Sequence, residues 1–271
     1  EVLMDTFVKG VDRTAMKSAH GVGKTTLLAW AGHFFLNTRP MSRVVATAPT
    51  KSQLTDILWP EYAKWLSKAP REIQDIWDLS GSHIRHKIYD KVWFAVSRTS
   101  NQPANLQGFH NNFILVQVDE ASAVSPDVYE VIEGILSDAD KEGGESKLLM
   151  AGNPNFTSGE FFNAFNRNKA LYNLFTVTGD GDTKPQEIDG RFFVSKRVTA
   201  KYRQNMIAKY GHDSAVYDVR VRGQFPRADE KSVISLQSAM RATGVAIPHF
   251  DAIRDGWTLV LDVARFGGDE T

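Results

Sequence analysis

The sequence predicts an α/β fold, a mainly parallel sheet with helices on both faces. Two observations carry this. Short apolar runs such as residues 44–48 (V-V-A-T-A), 113–118 (F-I-L-V-Q-V) and 147–151 (K-L-L-M-A) are separated by longer helix-like stretches. That is the pattern of strands buried on both faces and joined by crossover helices. A glycine-containing turn, Ser18-Ala19-His20-Gly21-Val22-Gly23-Lys24-Thr25-Thr26, also joins the first strand-like run to the first helix.

The elements follow in order. Residues 13–17 lead as a strand into the turn, and residues 25–35 form the helix that it opens. Residues 44–48 form a buried strand, and Pro49-Thr50 turns into a helix over about 51–68. A hairpin spans 84–97 around Tyr89-Asp90-Lys91, its second arm being the strand 92–96. The strand 113–118 ends at Asp119, a helix spans 126–137, and the strand 147–151 is closed by Gly152-Asn153-Pro154, all turn formers. From about residue 163 the character changes: residues 163–227 hold 12 Lys/Arg against 6 Asp/Glu, a local net of +6. Residues 178–190 read as a loop. Basic helices follow over 195–210, ended by Gly211, and 213–222, ended by Gly223. This divides the chain into a core at 1–162, a small helical lid or linker at 163–250 (with the sheet continuing to about 178), and a new strand within 251–271.

Composition narrows the function. The 271 residues are 42% apolar with zero net charge, so a core of ordinary size is available and no global field advertises a polyanionic partner. The absence of cysteine excludes disulfides, thiol catalysis and cysteine-held zinc. There is no run of 18 apolar residues and no signal-peptide pattern, so a cytosolic protein without a membrane partner is expected. The start at Glu1-Val2-Leu3 without methionine, and the stop at Thr271 just after a strand, suggest a fragment. His83 and His86 have metal-compatible spacing, but on a hairpin the simpler reading is a solvated pair.

The chemistry resides in two motifs. The turn at 18–26 fits the G-x-x-x-x-G-K-[ST] phosphate loop, except that Ser18 stands at the first glycine. Gly21 and Gly23 let backbone N–H groups turn inward as an anion nest. Lys24 reaches the β- and γ-phosphates, and the Thr25 hydroxyl suits Mg²⁺. Ninety-five residues after Lys24, a strand ends in Asp119-Glu120: Asp119 suits the metal shell, and Glu120 polarises the attacking water. The pair predicts a P-loop NTPase (RecA/ASCE-like) that hydrolyses ATP with Mg²⁺, Lys24 and Glu120 being catalytic and residues Ser18, Ala19, His20, Gly21, Val22, Gly23, Lys24, Thr25 and Thr26 holding the nucleotide.

The ordered set S-A-H-G-V-G-K-T-T, V-V-A-T-A-P-T-K-S-Q, L-Q-G-F-H, V-Q-V-D-E-A-S, A-G-N-P-N-F-T-S-G-E-F, Y-G-H-D-S-A-V-Y-D-V-R-V-R-G-Q-F and L-D-V-A-R-F-G-G-D-E-T resembles the large terminase subunit of tailed bacteriophages, and it spans nearly the whole chain. The resemblance implies an ATPase domain plus linker, cut just inside a ribonuclease H-like nuclease. It further implies that Gly152, Asn153 and Pro154 couple hydrolysis to the lid, and that Asp262 and Asp269 begin an incomplete nuclease metal site. The implied partners are double-stranded DNA, a portal protein and a small terminase subunit. A ring of copies is implied, each lending an arginine to its neighbour, with the isolated chain a monomer. The implied location is the host cytoplasm, docked transiently on a procapsid. The aromatic-glutamine pair with which family members often hold adenine is not found before Ser18.

Several assignments stay open at this stage. His20 contacts phosphate or fills a turn position, and Arg98 stabilises charge or is solvated. The basic stretch 191–227 grips DNA or pairs with a neighbouring subunit. A superfamily 2 helicase-like enzyme shares the same motifs, and an ATP-binding scaffold without turnover is the non-enzymatic alternative.

Overall fold

Nine strands occur among the residues described by the computed structural model, namely 2–8, 12–137, 143–183 and 190–226. They are β1 (Arg13–Ser18), β2 (Arg43–Ala48), β3 (Trp77–Ser80), β4 (His83–His86), β5 (Phe94–Thr99), β6 (Phe113–Val118), β7 (Glu145–Gly152), β8 (Asn173–Thr178) and β9 (Arg191–Val194). One sheet holds them in the order β3-β4-β5-β2-β6-β7-β1-β8-β9. Pairing is parallel from β5 through β9, and β3 and β4 add antiparallel at one edge. The sheet therefore continues through β8 to residue 178, as expected, and β9 carries it further into the segment expected to form the lid.

Alternation along the central strands splits the core in two. Met16, Val44, Ala46, Leu115, Leu149 and Ala151 face one layer, shared with helices α1 (Val2–Val8), α2 (Lys24–Thr38) and α3 (Trp59–Leu66). A short helix, α4 (Arg71–Gln74), precedes β3. Ala15, Val45, Ile114, Val116, Leu148 and Met150 face the other layer, against α5 (Pro126–Ser137) and α6 (Gly159–Phe165). Because both faces are covered, the strands read as continuous apolar runs. One buried polar residue on these strands is Gln117 on β6, which accepts from the Tyr62 hydroxyl at 2.6 Å and donates to the Leu28 carbonyl at 2.7 Å. Tyr62 reaches it because Gly32 of α2 carries no side chain: a Cβ there would overlap the tyrosine oxygen.

Three departures from the sequence reading have local causes. The helix expected over 51–68 is π-helical over Gln53–Leu58 before α3 begins. Pro60 cannot donate to the carbonyl four residues back and its ring crowds it, so the turn widens. The second hairpin arm begins at Phe94 rather than Val92, because Val92 and Trp93 both donate to the Tyr89 carbonyl and close the turn. The helix expected from Ser195 is α7 (Ala200–Tyr210); it starts where the Thr199 hydroxyl accepts from the Tyr202 N–H. Its end at Gly211 (φ 84°) is as expected. A single turn, α8 (Ala215–Tyr217), continues as a π-helical turn over Asp218–Arg222 and ends at Gly223.

Candidate nucleotide site at the carboxyl edge of the sheet

Parallel strands deliver their carboxyl ends to one edge, where open α/β sheets hold ligands. β1 ends there in the phosphate loop, β7 in Asn153, β6 in Asp119-Glu120 and β9 in the loop leading to α7. Gly21 (φ 72°) and Gly23 (φ 104°) take the left-handed backbone that an inward-turned nest requires, and α2 begins directly at Lys24.

Lys24 is buried, and its ammonium donates to Asn153 Oδ1 at 2.9 Å. Asn153 Nδ2 donates in turn to the Ser18 carbonyl at 2.7 Å. Lysine only donates and a carbonyl only accepts, so the two bonds fix the amide orientation. Burial lowers the Lys24 pKa, while Glu120 and Asp119 act in the opposite sense. The preceding Gly152 lies against the backbone after Glu120: a Cβ would stand 3.0 Å from the Ala121 nitrogen. One strand end thus touches both the phosphate loop and the acidic turn.

Asp119 is buried, and its Oδ1 accepts the Glu120 N–H at 2.9 Å. Burial, reinforced by the Glu120 charge, pushes its carboxyl up to about 6. Among the described residues no cation forms an ion pair with it. A buried carboxylate short of a counter-charge, at the same sheet edge as Thr25, fits a hard divalent cation. Glu120 sits at φ 48°, ψ 45°, a left-handed backbone that strains a non-glycine residue. The Thr26 hydroxyl is engaged elsewhere, donating to Glu61 at 2.7 Å.

The segment after α8 covers the loop. The His20 N–H donates to the Arg220 carbonyl at 3.0 Å and the Ala19 N–H to the Val177 carbonyl at 2.8 Å. Gly223 packs so closely that a Cβ would stand 2.6 Å from the Ala19 nitrogen. The His20 side chain stays exposed, its pKa lowered by partial burial and by the Lys24 and Arg220 charges.

No protein-family model matches the chain. A probable terminase large subunit of Enterobacteria phage P7 is 27% identical over 263 residues, covering 94% of this chain and 50% of that protein. The chain is similar to phage large terminase subunits. It spans about half the length of the curated relative it matches. The fold agrees: the large terminase ATPase domain of Thermus phage P74-26 superposes with a TM-score of 0.58 at 16% identity, over 83% of this chain and 93% of that one. The large terminase of the HK97 bacteriophage gives 0.56 at 15%, over 83% and 49%.

Arg98 lies on β5, separated from the 18–26 loop that follows β1 by β2, β6 and β7. Its guanidinium donates to the Ser97 carbonyl and lies over the Phe109 ring, so the fold does not bring it to the loop. The hairpin histidines are not a solvated pair: His86 is buried, stacked on Trp93, and its Nδ1 accepts the Ile88 and Tyr89 N–H groups. No cluster of three or more His, Asp or Glu placed to hold a metal occurs among the described residues. No described helix is long and apolar enough to cross a membrane. Of the basic stretch 191–227, Arg191 pairs with Asp5, Arg203 donates to the Gly179 and Val198 carbonyls, and Arg222 pairs with Asp218 and Asp180. Asp262, Asp269, Arg227 and the strand expected within 251–271 lie outside the described residues.

The sequence reading missed Arg197, in the loop between β9 and α7. A Cβ on Gly23 would stand 2.8 Å from Arg197 Nη1, so its guanidinium rests on the phosphate loop. No motif marks it, and only the fold brings it there.

Proposed function

We propose that this chain is the ATPase motor of a phage DNA-packaging machine, which binds ATP with Mg²⁺ on the 18–26 loop and uses its hydrolysis to move double-stranded viral DNA into a procapsid. The observation that carries the reading is Asn153, bonded at once to the Lys24 ammonium and the Ser18 carbonyl. A polar residue on a neighbouring strand is tied to the one side chain that must leave it to reach a nucleotide phosphate. Support also comes from a solved relative, since the large terminase of a thermophilic bacteriophage has been determined with ADP and with ATP-γ-S.

In this reading the loop N–H groups and Lys24 hold the β- and γ-phosphates. Thr25 and Asp119 would hold Mg²⁺, which supplies charge neutralisation on the transferring phosphoryl group. Glu120 orients water and takes its proton as the water oxygen bonds to the γ-phosphorus and the ADP oxygen departs. Lys24 exchanges Asn153 for phosphate. The freed Asn153, through Gly152 and the Ser18 carbonyl, reports nucleotide state to the lid segment over the loop. Assembly as a ring with portal and small terminase subunits, in the host cytoplasm on the procapsid, belongs to the same proposal.

The test is phosphate release from Mg-ATP, with and without linear double-stranded DNA, alongside titration with a fluorescent ATP analogue. Saturable binding and slow turnover, both abolished in Lys24→Ala, are expected. A chain that binds no nucleotide at millimolar concentration, or that turns ATP over equally well as Lys24→Ala, would sink the proposal.

A further inference from the structure

We propose that Arg197 is this fold's own arginine toward the nucleotide, contacting the terminal phosphate of ATP bound on the loop. The inference rests on the nucleotide reading above and adds a residue to it.

Positive charge gathers at the loop from three sources. The 15-residue helix α2 begins at Lys24 and presents its positive end there. Lys24 adds a buried ammonium, and Arg197 lays a guanidinium against Gly23, the residue just before it. Two cations at the positive end of a helix form an arrangement that an anion complements. Among the described residues the Arg197 side chain makes no hydrogen bond or ion pair. Asp119 and Glu120 act on Lys24. The arrangement becomes favourable once a polyanion lies between the three positive groups, and the planar fork of arginine suits two phosphate oxygens.

The backbone holds Arg197 in place on both sides. β9 runs parallel to β8, so its end arrives at the edge where β1 opens into the loop. The Ser195 N–H donates to the Thr178 carbonyl at 2.7 Å, and the Arg197 N–H to the Ser195 hydroxyl at 3.2 Å. Val198 is buried against Gly179, where a Cβ would stand 2.6 Å from it, and Thr199 then caps α7. The stem is fixed, while the side chain itself is exposed. This is the construction of a residue positioned for a ligand.

The experiment titrates Mg–ATP-γ-S and Mg–ADP into the parent chain, Arg197→Ala and Lys24→Ala, and measures turnover at saturating ATP. Arg197 is exposed and makes no side-chain bond among the described residues, so circular dichroism should show Arg197→Ala and the parent equally folded. Arg197→Ala is expected to lose roughly 10-fold or more in ATP-γ-S affinity and much less for ADP. Its turnover should fall toward the ~10³-fold loss that marks a phosphate-contacting arginine. Parent-like affinities and turnover in Arg197→Ala, with Lys24→Ala inactive, would overturn the Arg197 assignment and leave the nucleotide site standing. Absence of binding by the parent chain would overturn both.

Discussion

The Lys24 ammonium, buried at the end of the phosphate loop, is held 2.9 Å from the Asn153 side-chain oxygen, 129 residues further along the chain. In the proposed function this bond exchanges for one to phosphate. Asn153→Asp would replace it with a charge-assisted pair, which keeps Lys24 off the nucleotide and adds a carboxylate facing the phosphates. ATP affinity is expected to fall at least ~10-fold, about 1.4 kcal/mol, with the melting temperature held or raised. Calorimetric titration beside a thermal melt checks this, and unchanged affinity would refute the exchange.

Glu120→Gln keeps the shape of the side chain and removes the charge proposed to orient water. It is expected to bind Mg-ATP as the parent does and to hydrolyse it at least ~100-fold more slowly, the scale of a lost general base. Single-turnover phosphate release measures it. Loss of binding together with turnover would instead give Glu120 a structural or metal-holding part.

The Asp119 carboxyl, pushed up to about 6 by burial and by Glu120, sets a pH dependence in the nucleotide-free chain. A carboxyl whose folded value lies above its unfolded value, about 3.9, binds its proton more tightly when folded. Its stabilisation is complete below the unfolded value and is lost as pH rises through about 6. Asp119→Asn should therefore melt higher than the parent at about pH 8, by a margin that shrinks toward about pH 4. Melts at the two pH values decide it, and a parent that is the more stable under the alkaline condition contradicts the assignment.

Gly223→Ala would push a methyl into the backbone of the loop, 2.6 Å from the Ala19 nitrogen, at a residue with φ 65°. The covering segment must lift or the loop must distort. A loss of about 1–3 kcal/mol in stability is expected, with ATP affinity reduced alongside it. Urea unfolding and nucleotide titration report the two effects. A variant that is parent-like in both would show that the segment does not bear on the loop.

At Gly32 a Cβ would overlap the Tyr62 oxygen that bonds Gln117. Gly32→Ala is expected to destabilise by about 2–4 kcal/mol, through overpacking and a stranded buried amide. Tyr62→Phe, which strands the amide alone, should cost about 1–3 kcal/mol. If the two cost the same in chemical denaturation, overlap adds nothing to the loss of the Gln117 bond.

Most of the sheet was legible because β2, β6 and β7 are buried on both faces and so read as unbroken apolar runs. The Lys24, Asp119 and Glu120 positions were legible because strand-loop-helix and strand-end contexts bracket them. What stayed hidden depends on distance along the chain. β3 and β9 are four residues each and carry no period of their own. Pro60 gave a warning within the 51–68 stretch, since its missing N–H widens the turn it enters. Arg197 gave none: a basic residue in a basic stretch becomes distinct only when β9 pairs with β8.

The central place of β1 has a consequence for the order in which the molecule can be built. β1 lies between β7 and β8, so during synthesis the first strand of the sheet emerges long before either neighbour. Asn153 meets Ser18 across 135 residues, and Lys17 meets Gln224 across 207. Contacts of such separation form late and slowly. The hairpin and β2 can assemble while β1 waits. The loop that begins at Ser18 acquires its full set of partners only once Gly223 is made. A growing chain thus carries the complete loop sequence well before the residues that close around it, and the fully bonded loop is itself a mark that the chain has been made through Gly223.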